Sequence, residues 1–154
     1  MDREVEILVL NRQRTRRVSR PALNRFLQRV VRELPPAEAD QFAVCLVSDQ
    51  RMRAFNRDFR GFDRTTDVLA FCAEGDPDPE RHVNLGDIVI SVPTAARQAR
   101  EQKHSLAREL KILSLHGYLH LMGHDHETDD GTMLRLQRRL VRRLLPKRAE
   151  GTRN

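Results

Sequence analysis

Apolar residues recur along this chain with two different periods, and the switches between them outline its elements. Residues 5–10 are mostly apolar and partly alternating, which predicts a first strand, and residues 12–17 follow as a basic turn. Ser19 is placed to cap a helix with Pro21 in its first turn. Leu23, Phe26, Leu27, Val30, Val31 and Leu34 then fall at helical spacing until Pro35 and Pro36 stop the run. Residues 42–47 are apolar throughout, the pattern of a strand inside a sheet. Residues 49–58 predict a short helix carrying Met52 and Phe55, and the polar stretch 60–67 predicts a turn leading into a third strand at 68–71. Residues 74–84, with Pro77 and Pro79, read as an exposed acidic loop, and 87–91 as a fourth strand behind Gly86. Pro93 opens an alanine-rich helix to about Lys103, and a second helix runs from near Ser105 to Met122. The last helix, 132–145, has Met133, Leu136, Leu140, Val141, Leu144 and Leu145 on one side and Arg135, Arg138, Arg139, Arg142 and Arg143 on the other.

This interleaving predicts an α+β fold: a small mixed four-stranded sheet packed with helices, the C-terminal half being helical. A chain of 154 residues suits one domain, expected over residues 1–146, with a polar, frayed tail at 147–154. No apolar run approaches the roughly 20 residues needed to span a bilayer. The N-terminus lacks the apolar core of a signal peptide, so a cytoplasmic protein without a membrane partner is expected. Cys45 and Cys72 both fall in apolar stretches and are expected to be buried free thiols.

The candidate chemistry is concentrated in residues 116–126, where four of the six histidines lie. His116 and His120 are one helical turn apart, so both imidazoles leave the same helix face. Gly123 can take a left-handed conformation and reverse the chain, which would bring His126 to the open side of an ion held by the first two. Three neutral nitrogens suit zinc, and a fourth position left for water is the arrangement of a catalytic site. His124 is an alternative third ligand, although the spacing favours His126. Asp125, between them, either orients a ligand histidine or is simply solvated. The spacing is that of the long zinc-peptidase signature with one departure. Gly117 stands where a peptidase carries its glutamate base, so the metal geometry is expected without the proteolytic proton acceptor.

The formal charge of +6, carried almost wholly by arginine, favours a phosphate-rich partner, because guanidinium forks onto phosphate in a way ammonium does not. Arg60, before Gly61 in a polar turn, is a candidate phosphate clamp, although by residue chemistry alone a surface arginine is the commoner outcome. Asp67, at a strand start, is expected to cap a turn or to bond Arg60. The arginine side of the last helix is either solvated or a phosphate contact. With six phenylalanines, one tyrosine and no tryptophan, a stacking platform for single-stranded bases is not evident.

The run His116-Gly117-x-x-His120-Leu121-x-Gly123-x-Asp125-His126 resembles the signature of the YbeY endoribonucleases, bacterial rRNA maturation factors. Arg60-Gly61 and the stretch Thr66-Asp67-Val68-Leu69-Ala70-Phe71 resemble that family's other signature, and Gly86-Asp87-Ile88-Val89-Ile90-Ser91 its strand before the metal helices. The resemblance is close over about residues 40–130, although His124 stands where members often carry an aromatic residue. It implies a zincin-like metal helix in the C-terminal half and one zinc held by His116, His120 and His126. It also implies catalytic roles for Arg60 and His116, and cleavage of single-stranded RNA in small-subunit ribosomal RNA processing and ribosome quality control. The implied partners are single-stranded or ribosomal RNA, the ribosome and its assembly proteins. Two other readings stand beside it. One is an RNA- and ribosome-binding assembly factor whose metal is mainly structural; the other is a metallopeptidase with its base supplied from elsewhere, which Gly117 disfavours.

Overall fold

The computed structural model describes residues 4–73, 83–124 and 130–147. Its elements run β1 (Glu6–Asn11), α1 (Arg20–Glu33), β2 (Gln41–Val47), α2 (Asp49–Arg60), β3 (Val68–Cys72), β4 (Asn84–Ser91), α3 (Val92–Gln102), α4 (Leu106–Leu121) and α5 (Thr132–Leu144). The strands form one mixed sheet in the order β1-β2-β4-β3. β1, β2 and β4 are parallel, and β3 returns antiparallel on β4, leaving β1 and β3 as the edges. The α+β expectation and the interior position of β2 both hold.

The alternation of side chains divides the sheet into two unequal faces. Ile7, Phe42, Val44, Leu46, Ile88 and Ile90 share one face and enter the main core with Leu23, Leu27 and Val30 of α1 and Leu115, Tyr118 and Leu119 of α4. On the other face Val47, Leu69 and Val89 meet Met52 and Phe55 of α2 alone. That single helix leaves the β1 end uncovered, and Leu8 and Leu10 are exposed there.

The helix caps follow their sequence signals. Ser19, Ser48, Ser91 and Ser105 each accept a hydrogen bond from a backbone N–H in the first turn of the helix that follows. α2 runs two residues beyond its expected end, to Arg60. The polar stretch from residue 60 suggested a turn, but Gly61 at φ 78° caps the helix there and donates to Arg57 O. β4 begins at Asn84 and takes in Gly86, because its ladder with β3 continues to Cys72. The cysteine expectation needs correction. Cys45 is half-buried, with burial pushing its thiol pKa up, while Cys72 ends an edge strand and is exposed. The expected loop at 74–84 falls largely on residues 74–82, and the tail on 148–154, both outside the described residues.

Three anchored side chains fix the helices around the site. Asp49, the first residue of α2, accepts from Ser91 Oγ at 2.5 Å, Thr94 Oγ1 at 2.6 Å and Thr65 Oγ1 at 3.3 Å, and pairs with Arg97 at 3.0 Å. Partial burial alone would raise its pKa, but the bonds from Ser91, Thr94 and Arg97 outweigh burial and hold the carboxyl below its usual range. The residue thereby ties α2 to the start of α3 and to the loop before β3. Tyr118, buried on α4, donates from its hydroxyl to Leu34 O at 2.6 Å and packs its ring on Phe42 at 5.2 Å. Arg108 Nη1, also buried, donates to Leu145 O at 2.7 Å and fastens the start of α4 to the end of α5.

α4 lies against β4 at the position where the sequence has glycine. A Cβ on Gly117 would stand 2.6 Å from Cγ2 of the fully buried Ile88. In an open helix alanine would gain on glycine by about 1 kcal/mol. Here overpacking, at roughly 1–3 kcal/mol, opposes and exceeds that gain. Gly117→Ala is therefore expected to lower the unfolding free energy by about 1 kcal/mol in urea titration. Ile88→Ala in the same chain should remove part of that cost in a double-mutant cycle. A Gly117→Ala chain more stable than the parent would show that the helix is free to lift from the sheet.

Candidate active site

A cleft of about 1020 Å³ opens along the outer edge of β3. Its walls are β3 with the preceding Thr66 and Asp67, the end of α2 (Phe59 and Arg60), one stripe of α4 (Ile112, Leu113, His116, Gly117 and His120) and Leu134 with Gln137 of α5. The α4 stripe follows the helix period of three to four residues, so the packing that seats α4 on the sheet also turns both histidines into the cleft. Gly123 and His124 close one end.

The helix ends as the sequence anticipates. Gly123 has φ 95°, its N–H donates to His120 O at 3.0 Å, and His124 N–H donates to Leu119 O at 3.1 Å. This pair of bonds satisfies the last carbonyls of α4 and reverses the chain at Gly123. His124 is half-buried on the cleft wall. Asp125 and His126 lie outside the described residues. Among the described residues no group of three or more histidine, cysteine, aspartate or glutamate side chains comes together as a metal site.

The two histidines in view are held in a specific way. His116 Nδ1 stands 2.7 Å from Gln137 Oε1. An amide oxygen only accepts, so the imidazole carries its proton on Nδ1 and its lone pair on Nε2. That Nε2 stands 3.2 Å from His120 Nε2, with the rings nearly edge to face at 74°. Two nitrogens on one tetrahedral zinc, each at about 2.0–2.1 Å, are separated by about 3.3 Å. The donor set and spacing therefore fit a zinc-class ion. Gln137 was missed in the sequence; it falls on the border between the apolar and arginine sides of its helix, and only the packing of α5 on α4 shows its partner.

Arg60 lines the same cleft from its opposite wall, with its guanidinium 5.6 Å from the centre of the Phe62 ring. Among the described residues it has no carboxylate partner. Asp67 does not meet it. Asp67 Oδ1 accepts from Val68 N–H at 2.7 Å and Oδ2 from Gln98 Nε2 at 3.3 Å, so the residue takes the structural role at the start of β3. The expectation that aromatics offer no platform also changes. Phe55, Phe59 and Phe71, three of the six phenylalanines, gather at the end of α2 and on β3, and Phe62 follows in the turn after α2 beside Arg60.

Gly117 also bears on the peptidase reading. The position that would carry the glutamate base points at Ile88, and no side chain fits there unless Ile88 shifts. No helix among the described residues is long and apolar enough to cross a membrane.

A family model described as Endoribonuclease YbeY matches residues 8–145. Among curated relatives, the Endoribonuclease YbeY of Solibacter usitatus is 44% identical over 120 residues, covering 78% of this chain and 76% of the relative. That of Moorella thermoacetica is 47% identical over 116 residues, covering 71% and 74%. A Thermotoga maritima protein solved in solution is 27% identical, with a TM-score of 0.62 over 95% of this chain and 93% of that one. Matched over residues 8–145 by one family model and over 71–78% of its length by relatives of that name, this chain belongs to the endoribonuclease YbeY family.

Proposed function

We propose that the protein is a zinc-dependent endoribonuclease that cleaves single-stranded RNA during small-subunit ribosomal RNA maturation and ribosome quality control, in the cytoplasm and in contact with the ribosome and its assembly proteins. The observation that carries this reading is the pair of Nε2 atoms 3.2 Å apart, one of them oriented by Gln137, in a cleft that also holds Arg60, which has no carboxylate partner among the described residues. The family description supports RNA as the substrate.

In this reading His116, His120 and His126 hold the ion, on the zincin-like helix α4 and the turn after it. The ion supplies Lewis-acid polarisation of a phosphoryl oxygen and activation of a nucleophile at neutral pH. The remaining work falls to the chain. Gln137 fixes the tautomer of His116 and so keeps its donor nitrogen aimed into the cleft. Arg60, on the facing wall, binds the scissile phosphate and neutralises charge that grows in the transition state. The exposed arginines of α5 add attraction that does not depend on sequence. An open cleft on the histidine side favours a catalytic over a purely structural ion, since structural sites are closed. Metal removal and restoration in an RNA-cleavage assay separates this reading from the assembly-factor one.

Metal analysis of the purified protein should give one zinc-class ion per chain, largely lost in His120→Ala. His126→Ala should lose far more metal than His124→Ala; the reverse order would make His124 the third ligand. Gln137→Leu should weaken metal affinity by about 10- to 100-fold, measured by competition with a chelating dye, while the fold survives.

Arg60→Ala should lower the single-turnover cleavage rate at saturating RNA by on the order of 10²–10³, with metal content intact. Arg60→Lys should recover only part of that loss, because an ammonium lacks the planar fork. An unchanged saturating rate would return Arg60 to an ordinary surface residue.

Neutralising Arg138 and Arg142 together should weaken RNA binding and flatten its dependence on salt, leaving the saturating rate nearly unchanged. Identical salt slopes for parent and variant would exclude α5 from the RNA interface.

A further inference from the structure

The most unusual surface outside the histidine pair is aromatic. Phe59 is 67% exposed and Phe62 is 45% exposed, on either side of Arg60 and Gly61. Phe59 is nevertheless fixed from behind. Its ring lies 6.1 Å from Phe55 at an interplanar angle of 25° and 5.3 Å from Phe71 in an edge-on contact. Phe55 in turn packs on the second core with Met52, so the support is continuous with the fold. The turn that follows is equally fixed. Asn56 Nδ2 donates to Arg64 O at 2.9 Å, and Arg53 binds Asp63 through two hydrogen bonds of 2.8 and 3.2 Å.

That ion pair also decides the charge of the patch. Arg53 neutralises Asp63, and Arg57 lies 3.1 Å from Asp58. Arg60 and Arg64 remain without carboxylate partners among the described residues, their guanidiniums 5.6 and 5.0 Å from the centre of the Phe62 ring. A rigid, exposed ring beside uncompensated guanidiniums matches a ligand that alternates flat aromatic groups with anions. A nucleic-acid strand with unpaired bases has that alternation. In a duplex the base faces are already stacked on one another and cannot reach a ring.

We propose that Phe59 is a base-stacking site at the mouth of the cleft: an unpaired base of an RNA strand lies on its open side, and the adjoining phosphate is held by Arg64, leaving Arg60 to the scissile phosphate further along the strand. Phe59, Arg60 and Phe71 line the cleft that contains His116 and His120, so a strand anchored on Phe59 continues towards the histidines. The site thereby selects single strands before any bond is cleaved. This inference rests on the RNA-cleaving reading of the cleft.

The test is fluorescence anisotropy with a labelled single-stranded RNA 12-mer, a fully abasic strand of the same length, and a hairpin that pairs the same bases. Phe59→Ala should weaken binding of the 12-mer by at least about fivefold, the lower end of what one stacked base contributes. It should leave the abasic strand and the hairpin unaffected. Phe59→Tyr should retain binding, and Phe59→Leu, which keeps apolar area without a π face, should behave as alanine does. A 2-aminopurine in the 12-mer should be quenched by the parent and not by Phe59→Ala. Circular dichroism checks the fold, and the exposed position of Phe62 makes Phe62→Ala a second variant with the same expectation in weaker form. Equal 12-mer affinity in Phe59→Ala and the parent, or an equal loss for the abasic strand, overturns the stacking site and leaves the patch to a protein partner. A parent protein that neither binds nor cleaves the 12-mer overturns the RNA reading itself.

Discussion

The contact of α4 with β4 is the constraint on which the site depends. A helix can approach a sheet this closely only where side chains do not intervene, and Gly117 over Ile88 provides that point. Once the helix is seated there, its rotation is no longer free. Tyr118 fixes it to the end of α1 and Arg108 to the end of α5, so the stripe at positions 112, 113, 116, 117 and 120 must face the β3 edge. The direction of both imidazoles therefore follows from burial on the other sides of the helix. The same contact accounts for the absence of a peptidase glutamate in spatial terms. The residue type that would supply the base is opposed by packing against Ile88, so the glycine is more than a lost catalytic group.

Opposite this rigid wall, the end of α2 is built from weaker parts. It covers its face of the sheet alone, through Met52 and Phe55, and its start is held by the Asp49 network. Because that network reaches Ser91, Thr94 and Thr65, it couples the placement of Arg60 to the start of α3 and to the loop before β3. A change in any of these hydroxyl partners would be felt at the cleft without touching it. The cost of this arrangement is an incompletely covered sheet, visible in the exposed Leu8 and Leu10 on β1.

Most of the fold was legible because the elements that carry it are long and strongly periodic. The apolar stripe of α1, the unbroken apolar run of β2 and the Ser19 cap each encode one local decision, and each is met in the structure. The errors have two sources, one a local signal and one tertiary. α2 extends to Arg60 because a glycine cap, not polarity, ends it, and Cys72 is exposed because its strand is an edge, a fact of topology that no window of sequence contains. The histidine pair was legible because its one-turn spacing is a local property. Gln137 was not, because its meaning comes from a residue 21 positions away on another helix. The aromatic patch was hidden for a related reason. A count of phenylalanines treats them as dispersed, whereas the i, i+4 spacing of Phe55 and Phe59 and the β3 edge bring three of them together.

The distribution of charge and aromatic surface around the cleft carries one further physical consequence. Electrostatic attraction from exposed arginines acts over about a Debye length and treats single strands and duplexes alike. It raises the chance of encounter but cannot discriminate. Discrimination requires contacts that only one form of the ligand can make, at short range and with fixed geometry. In this protein the fixed elements are the ring of Phe59, braced by Phe55 and Phe71, and the imidazole of His116, braced by Gln137. Each is held in place by a neighbouring side chain of the fold, Phe59 by ring packing and His116 by a hydrogen bond. A ligand that engages both must reach from the end of α2 to α4 along the β3 edge. An extended strand can follow that path while presenting a base to the ring and a phosphate to Arg60, and a helix with its bases buried cannot.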